Sequence, residues 1–238
     1  MWIKICANTN LDDANLAAEM GADAVGFVFA PSKRQVTAAQ VVSITPHLPR
    51  TVERVGVFTT QDANEIVGIV EQAGLTAIQL HGEPNAALAE ELQRRFEGRI
   101  SLIQTIHWQV DADGSSAAAV SRQLDQLNVD GVIDRVLIDS KVGQAMGGTG
   151  ITFNWDEARS VLTQSAGRLK LIVAGGLHPE NVAEAIRRLN PWGVDVASGV
   201  EATPGRKDPE RLASFIRNAR ESKGRSLNSF SGRDSSHP

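Results

Sequence analysis

Eight short aliphatic runs recur along the chain, each closed by a turn signal and followed by an amphipathic run. They are WIKIC (2–6), DAVGFVF (23–29), ERVGVF (53–58), TAIQL (76–80), SLIQTI (101–106), RVLID (135–139), LKLIVA (169–174) and VDVA (194–197). Runs of this length rich in Val, Ile and Leu and bounded by Gly, Asn, Asp or Pro predict strands. Short links between such strand–helix units predict parallel strands joined by right-handed crossovers. A closed barrel accounts for eight units more simply than an open doubly wound sheet. The expected fold is α/β, a single (βα)8 TIM barrel.

Three of the amphipathic runs show why helices are expected between the strands. In DANEIVGIVEQAG, Asp62 suits the cap, Ile66, Ile69, Val70 and Ala73 share a face, and Gly74 suits the end. In HPENVAEAIRRL, Pro179 is expected in the first turn, and Val182, Ala185, Ile186 and Leu189 repeat at helical spacing. In KDPERLASFIRNAR, Asp208 and Pro209 open a helix whose stripe is Leu212, Phe215, Ile216 and Ala219.

At 238 residues the chain fits one such domain. The barrel is expected over 1–221, and the polar Ser/Gly-rich tail 222–238 has too little apolar content to fold alone and is expected to be disordered. WQVDADGSS (108–116) reads as a longer polar connection, and GQAMGGTGITFNW (143–155) as a lid.

Composition removes several functional classes. With 42% hydrophobic and 22% charged residues the chain can bury a core, and its net charge of −4 disfavours nucleic acid as a partner. No run is long enough for a membrane span, and Lys4 and Asn8 interrupt the start before a signal peptide could build. One cysteine gives no disulfide framework and suits a reducing compartment, so a cytoplasmic protein is expected, either monomer or homodimer. The five histidines lack metal-ligand spacing and GxxxxGK[ST] is absent, so no metal is expected.

Sites of such barrels lie at the C-terminal strand ends. Alternation along a strand puts Ile3 and Ile5 toward the helices, and hence Lys4 and Cys6 toward the axis. The same parity turns Gln79, His81, Asp139 and Asp195 inward. A ring of Lys4, Cys6, His81, Asp139 and Asp195 is costly to bury without a purpose. A thiol and a carboxyl on different strands could serve as base and acid. Lys4 below the sulfur would favour thiolate, and poor solvation would keep Asp139 protonated.

Two glycine-rich turns, AGGLHPENV (174–182) and ASGVEATPGRKDPE (197–210), follow the last two strands, where barrels often bind phosphate through backbone N–H groups. Gly175, Gly176, Ser198 and Gly199 form the expected phosphate cradle. In PSKRQV, Arg34 offers a planar fork for a carboxylate or an aromatic face. Simpler roles compete for each residue. Cys6 alone could be a small packing residue, Asp139 a capping acid, Arg34 a solvated charge, and His81 a hydrogen-bonding group at the barrel mouth. Lys4 and Asp195 could neutralise each other, and the glycines could be plain turn residues.

KIC, GADAVGFVF with PSKR, RVGVF, QLHG, LIDSK, GGTGITFNW, GGLHPENV and VDVASGVEATPGRKD occur in an order that resembles phosphoribosylanthranilate isomerase, over roughly residues 2–220. The resemblance implies a cofactor-free Amadori rearrangement of N-(5′-phosphoribosyl)anthranilate to 1-(2-carboxyphenylamino)-1-deoxyribulose 5-phosphate in tryptophan biosynthesis. By position it implies Cys6 as general base, Asp139 as general acid, Arg34 at the anthranilate end, and the late glycine loops at the phosphate of a small phosphoribosyl substrate. His81 and Asp195 are the remaining expected substrate contacts. One departure stands out, because Ala7 follows KIC where the family usually has glycine. A backbone needing positive φ there would strain alanine.

Rival readings are a Schiff-base aldolase using Lys141, the histidine-pathway isomerase, and a barrel that binds phosphosugars without catalysis. The second uses two carboxylates, which a cysteine at the first strand end disfavours.

Overall fold

A computed structural model describes residues 1–110, 115–141 and 153–228. Its strands are β1 (Trp2–Ile5), β2 (Ala24–Val28), β3 (Glu53–Phe58), β4 (Ala77–Leu80), β5 (Ser101–Gln109), β6 (Arg135–Lys141), β7 (Lys170–Val173) and β8 (Gly193–Val196). They close into one parallel barrel in sequence order, with β8 pairing back onto β1. Between them run α1 (Leu11–Glu19), α2 (Ala38–Val42), α3 (Ala63–Ala73), α4 (Ala86–Arg95), α5 (Ser115–Asp130), α6 (Trp155–Ser165) and α7 (Val182–Leu189). After β8 come a two-stranded hairpin, β9 (Glu201–Thr203) with β10 (Arg206–Lys207), and then α8 (Pro209–Asn228). The expected (βα)8 barrel is the fold.

Strand parity divides the apolar residues into two cores. Ile3, Ile5, Ile78, Leu80, Val136, Ile138, Val194 and Val196 face the helices. Trp2, Ala24, Val55, Ala77, Ile103, Leu137, Ile172 and Ala174 fill the barrel interior, large beside small. Gly193 makes room for Trp2, since a Cβ there would meet the indole at 2.8 Å.

Local signals act as the sequence predicts in α3. Asp62 accepts from the N–H groups of Asn64 and Glu65, and Gly74 closes the helix at φ 61°. Asp208 likewise accepts from the N–H groups of Glu210 and Arg211 at the start of α8.

Several boundaries differ from expectation. Asn181, not Pro179, is the cap residue of α7, so the proline belongs to the preceding turn. β5 continues through Trp108 and Gln109, because Trp108 is buried against Phe153, with ring centroids 5.4 Å apart. The polar connection therefore starts later, and its residues 111–114 lie outside the described ones. β6 runs on to Lys141, two residues past its expected end. α8 extends to Asn228, past the boundary expected at 221, and residues 229–238 of that tail are outside the described ones. So is the expected lid up to residue 152; Phe153 is buried, and Asn154 caps α6. Among the described residues no helix is long and apolar enough to cross a membrane.

Candidate active site

Lys4 and Asp195 are direct register partners of β1 and β8, and Lys4 Nζ lies 2.8 Å from Asp195 Oδ1. Burial would strip Lys4 of its proton. Asp195 and Cys6 more than offset that, so the ammonium is held above its ordinary pKa. The expected mutual neutralisation of this pair is present as an ion pair, and Asp195 also lines the central cavity.

Cys6 is the first residue past β1, buried, with its N–H donating to Val196 O at 2.8 Å. Gly26 on β2 makes space for it: a Cβ there would meet Cys6 Sγ at 2.8 Å and Lys4 Cε at 3.0 Å. The following turn is pinned by Asn8, whose side-chain amide donates to Ile5 O at 2.8 Å. Ala7 adopts φ 63°, the left-handed conformation in which an alanine is strained. Lys4 favours the thiolate, as expected, but does not decide the outcome. Burial outweighs the attraction of Lys4, and Asp195 adds to it, so the thiol is pushed above its ordinary value.

Asp139 lies on β6, buried at the barrel mouth. Desolvation, with the nearby negative charge of Asp195, raises its carboxyl to about 7, while Lys4 and the Ser140 backbone oppose the shift. It keeps its proton into the neutral range. His81 Nε2 is 4.0 Å from Asp139 Oδ2, and the other ring nitrogen faces Thr105 Oγ1 at 3.2 Å. His107, the register partner of Asp139, packs edge-on to His81 with centroids 4.9 Å apart.

One group among the described residues could hold a metal: one ligand atom each of His81, His107 and Asp139 lie within 4.8 Å of one another. Tetrahedral zinc at about 2.0–2.1 Å from nitrogen or oxygen needs ligand atoms roughly 3.3 Å apart. The 4.0 Å separation of His81 Nε2 and Asp139 Oδ2 is wider than that. The cluster as it stands suits a protonated carboxyl beside imidazoles.

Arg34 lines the same cavity from the loop after β2. Its Nε contacts both Glu201 oxygens at 2.9 Å and its Nη2 donates to Oε2 at 2.6 Å. Glu201 also meets the buried Lys207, Nζ to Oε1 at 3.4 Å.

The two glycine loops pack on each other beside the same cavity. A Cβ on Gly199 would meet Leu177 O at 1.9 Å, and one on Gly175, at φ 81°, would meet Ser140 Oγ at 2.2 Å. Asn181 holds the first loop by donating to Gly176 O at 2.9 Å and accepting from His178 N at 2.8 Å. Among the described residues, the backbone N–H groups of Gly176, Ser198 and Gly199 have no acceptor. Cys6, Arg34, His81, Asp139, Asp195, Gly175, Gly176 and Ser198 thus border one cavity; Gly199 is the next residue along.

The model of the family described as N-(5′phosphoribosyl)anthranilate (PRA) isomerase matches residues 3–218. The chain belongs to the phosphoribosylanthranilate isomerase family. The N-(5′-phosphoribosyl)anthranilate isomerase of Oceanobacillus iheyensis is 39% identical over 219 residues, 92% of this chain and 96% of that one. Its counterpart in Thermotoga maritima is 39% identical over 220 residues, 92% and 98% of the two chains. The crystal structure of phosphoribosyl anthranilate isomerase from Thermotoga maritima matches with a TM-score of 0.78 at 36% identity, covering 93% of this chain and 99% of that one. A phosphoribosyl anthranilate isomerase solved in complex with reduced 1-(O-carboxyphenylamino)-1-deoxyribulose 5-phosphate matches with a TM-score of 0.75 at 34% identity, covering 93% and 99%.

Three residues at the site of this isomerase-family barrel escape a sequence reading. His107 lies one residue past the expected end of its strand, although the inward parity of Ile103 and Thr105 continues to it. Glu201 and Lys207 lie in the hairpin after β8, where charges in a turn-rich segment carry no periodic signal of burial.

Proposed function

We propose that the chain isomerises N-(5′-phosphoribosyl)anthranilate to 1-(2-carboxyphenylamino)-1-deoxyribulose 5-phosphate, with Cys6 as general base and Asp139 as general acid. The observation that carries this reading is the shared cavity: thiol and carboxyl, just past β1 and on β6, border one space with the glycine loops at its rim. Asp139 donates its proton to the furanose ring oxygen as the C1′–O4′ bond breaks, and the nitrogen lone pair forms the C1′=N iminium. The Cys6 thiolate then takes the C2′ proton, the C–H electrons form C1′=C2′, and nitrogen regains its lone pair. The enol-amine tautomerises to the ketone.

The raised pKa values bear on each step. A carboxyl near 7 is an available acid at neutral pH. A thiol pushed up is ionised in fewer molecules, but each thiolate is a stronger base toward carbon. The N–H groups of Gly176, Ser198 and Gly199, with Gly175 giving the close backbone approach, would bind the phosphate. Arg34 Nη1 has no acceptor among the described residues and is proposed to meet the anthranilate carboxylate. His81 and Asp195 are proposed to contact the substrate between these ends.

The test follows anthranilate fluorescence during turnover by purified protein. Cys6→Ser and Asp139→Asn are each expected to lower kcat by about 10²–10⁴-fold with binding retained. Wild-type protein that binds the substrate without any change in its emission would overturn the proposal.

A further inference from the structure

Among the described residues two lysines are buried, Lys4 and Lys207. Lys4 has its own carboxylate in Asp195. Lys207 takes no part in the chemistry above, yet its side chain is fully enclosed. A buried ammonium is retained only where its charge and its donors are used.

Its partners lead to the thiol. Lys207 Nζ donates to the carbonyl of Cys6 at 2.6 Å, an oxygen just past the point where β1 stops pairing. The backbone of Lys207 is anchored from the other side, its N–H donating to Asp13 Oδ2 at 3.0 Å. The Cys6 carbonyl belongs to the peptide that leads into the strained Ala7, so its direction sets the turn from which the thiol projects.

Charge adds a second contribution. Lys4 and Asp195 cancel as a pair, and Arg206 has Asp13 at 3.5 Å. Arg34 and Lys207, by contrast, share the single carboxylate of Glu201. One positive charge is left over, on the side of the cavity wall against Cys6.

We propose that Lys207 is a positioning residue for Cys6, fixing the carbonyl of the thiol-bearing turn and supplying an unmatched positive charge beside it. The proposal rests on the reading of Cys6 as the base. Burial, with Arg34 beside it, holds Lys207 below its ordinary pKa, although Glu201 and Cys6 favour its charged form, and Lys207 favours the thiolate in return. The other charged groups around the thiol are Lys4 on β1, Asp195 on β8, Asp139 on β6, and Arg34 after β2.

Because Cys6 is the sole cysteine, its pKa can be read from the pH profile of iodoacetamide alkylation of the intact protein. Lys207→Gln keeps a hydrogen-bond donor and removes the charge, and Lys207→Arg restores the charge. In Lys207→Gln the thiol pKa is expected to rise by about one unit, slowing alkylation about tenfold at a fixed lower pH. Its kcat is expected to fall at least about tenfold with KM within about threefold of wild type, and Lys207→Arg is expected to recover both. A Lys207→Gln protein with the wild-type alkylation profile and kcat overturns the proposal. If circular dichroism shows that variant unfolded, Glu201→Gln carries the test: it leaves both Arg34 and Lys207 unmatched, so alkylation of Cys6 is expected to speed up several-fold at the same pH, and a wild-type alkylation profile overturns the proposal. The alkylation measurement does not require Cys6 to be the base, whereas full kcat in Cys6→Ser would sink that reading alone.

Discussion

Lys4 Nζ lies 2.8 Å from Asp195 Oδ1, so the cation beneath the thiol is already matched by a carboxylate. Asp195 raises both Cys6 and Asp139. Replacing it with asparagine is expected to lower both values, moving the whole pH–activity profile toward acid. It also leaves Lys4 buried without a counter-ion, a loss of roughly 3–5 kcal/mol by the usual cost of breaking such a pair. Urea unfolding together with a pH–rate profile checks both; an unmoved profile contradicts the electrostatic account.

Asp139 links stability to pH. Its folded-state value of about 7 lies above the ordinary 3.8, so the native protein binds a proton that the unfolded chain has released. That contribution is complete below about pH 4 and disappears as pH rises through about 7. Asp139→Asn is therefore expected to be more stable than wild type at pH 8, by up to about 4 kcal/mol, and nearly equal to it at pH 4. Carboxyl ¹³C NMR should find one aspartate titrating near 7, and a value near 4 would rule this out.

Ala7 at φ 63° holds a conformation that glycine adopts without strain. Ala7→Gly is expected to stabilise the protein by about 0.5–1 kcal/mol, the relief of strain exceeding the added freedom of the unfolded chain. The urea midpoint measures this, and a lower midpoint refutes it. Since Ala7 borders the cavity next to Cys6, turnover is expected to rise or hold, not fall.

Gly199 is needed for packing whatever it binds, because a Cβ would come within 1.9 Å of Leu177 O. Gly199→Ala must push the two glycine loops apart, at a cost of about 1–3 kcal/mol. If these loops hold the phosphate, KM should rise more than kcat falls. Inhibition by inorganic phosphate should weaken in parallel, and an unchanged inhibition constant would place the phosphate elsewhere.

The sequence by itself determined the barrel. Eight aliphatic runs separated by capped, amphipathic helices leave one economical arrangement, and alternation along each strand assigned Lys4, Cys6, Gln79, Asp139 and Asp195 to its interior. Period-two and helical patterns are local, so Asp62, Gly74 and Asp208 could be read in isolation. What only the tertiary structure decided is how the charges are shared. Lys4 is matched by Asp195 from the far end of the chain, Arg34 is held by Glu201, and buried Lys207 reaches the carbonyl of Cys6. These contacts join residues up to 201 positions apart. Their effect on the thiol depends on burial, a property of the closed barrel that no stretch of sequence carries. For that reason parity turned the sulfur toward the cavity and gave the direction of the pull from Lys4, while the larger opposing effect of burial lay outside its reach.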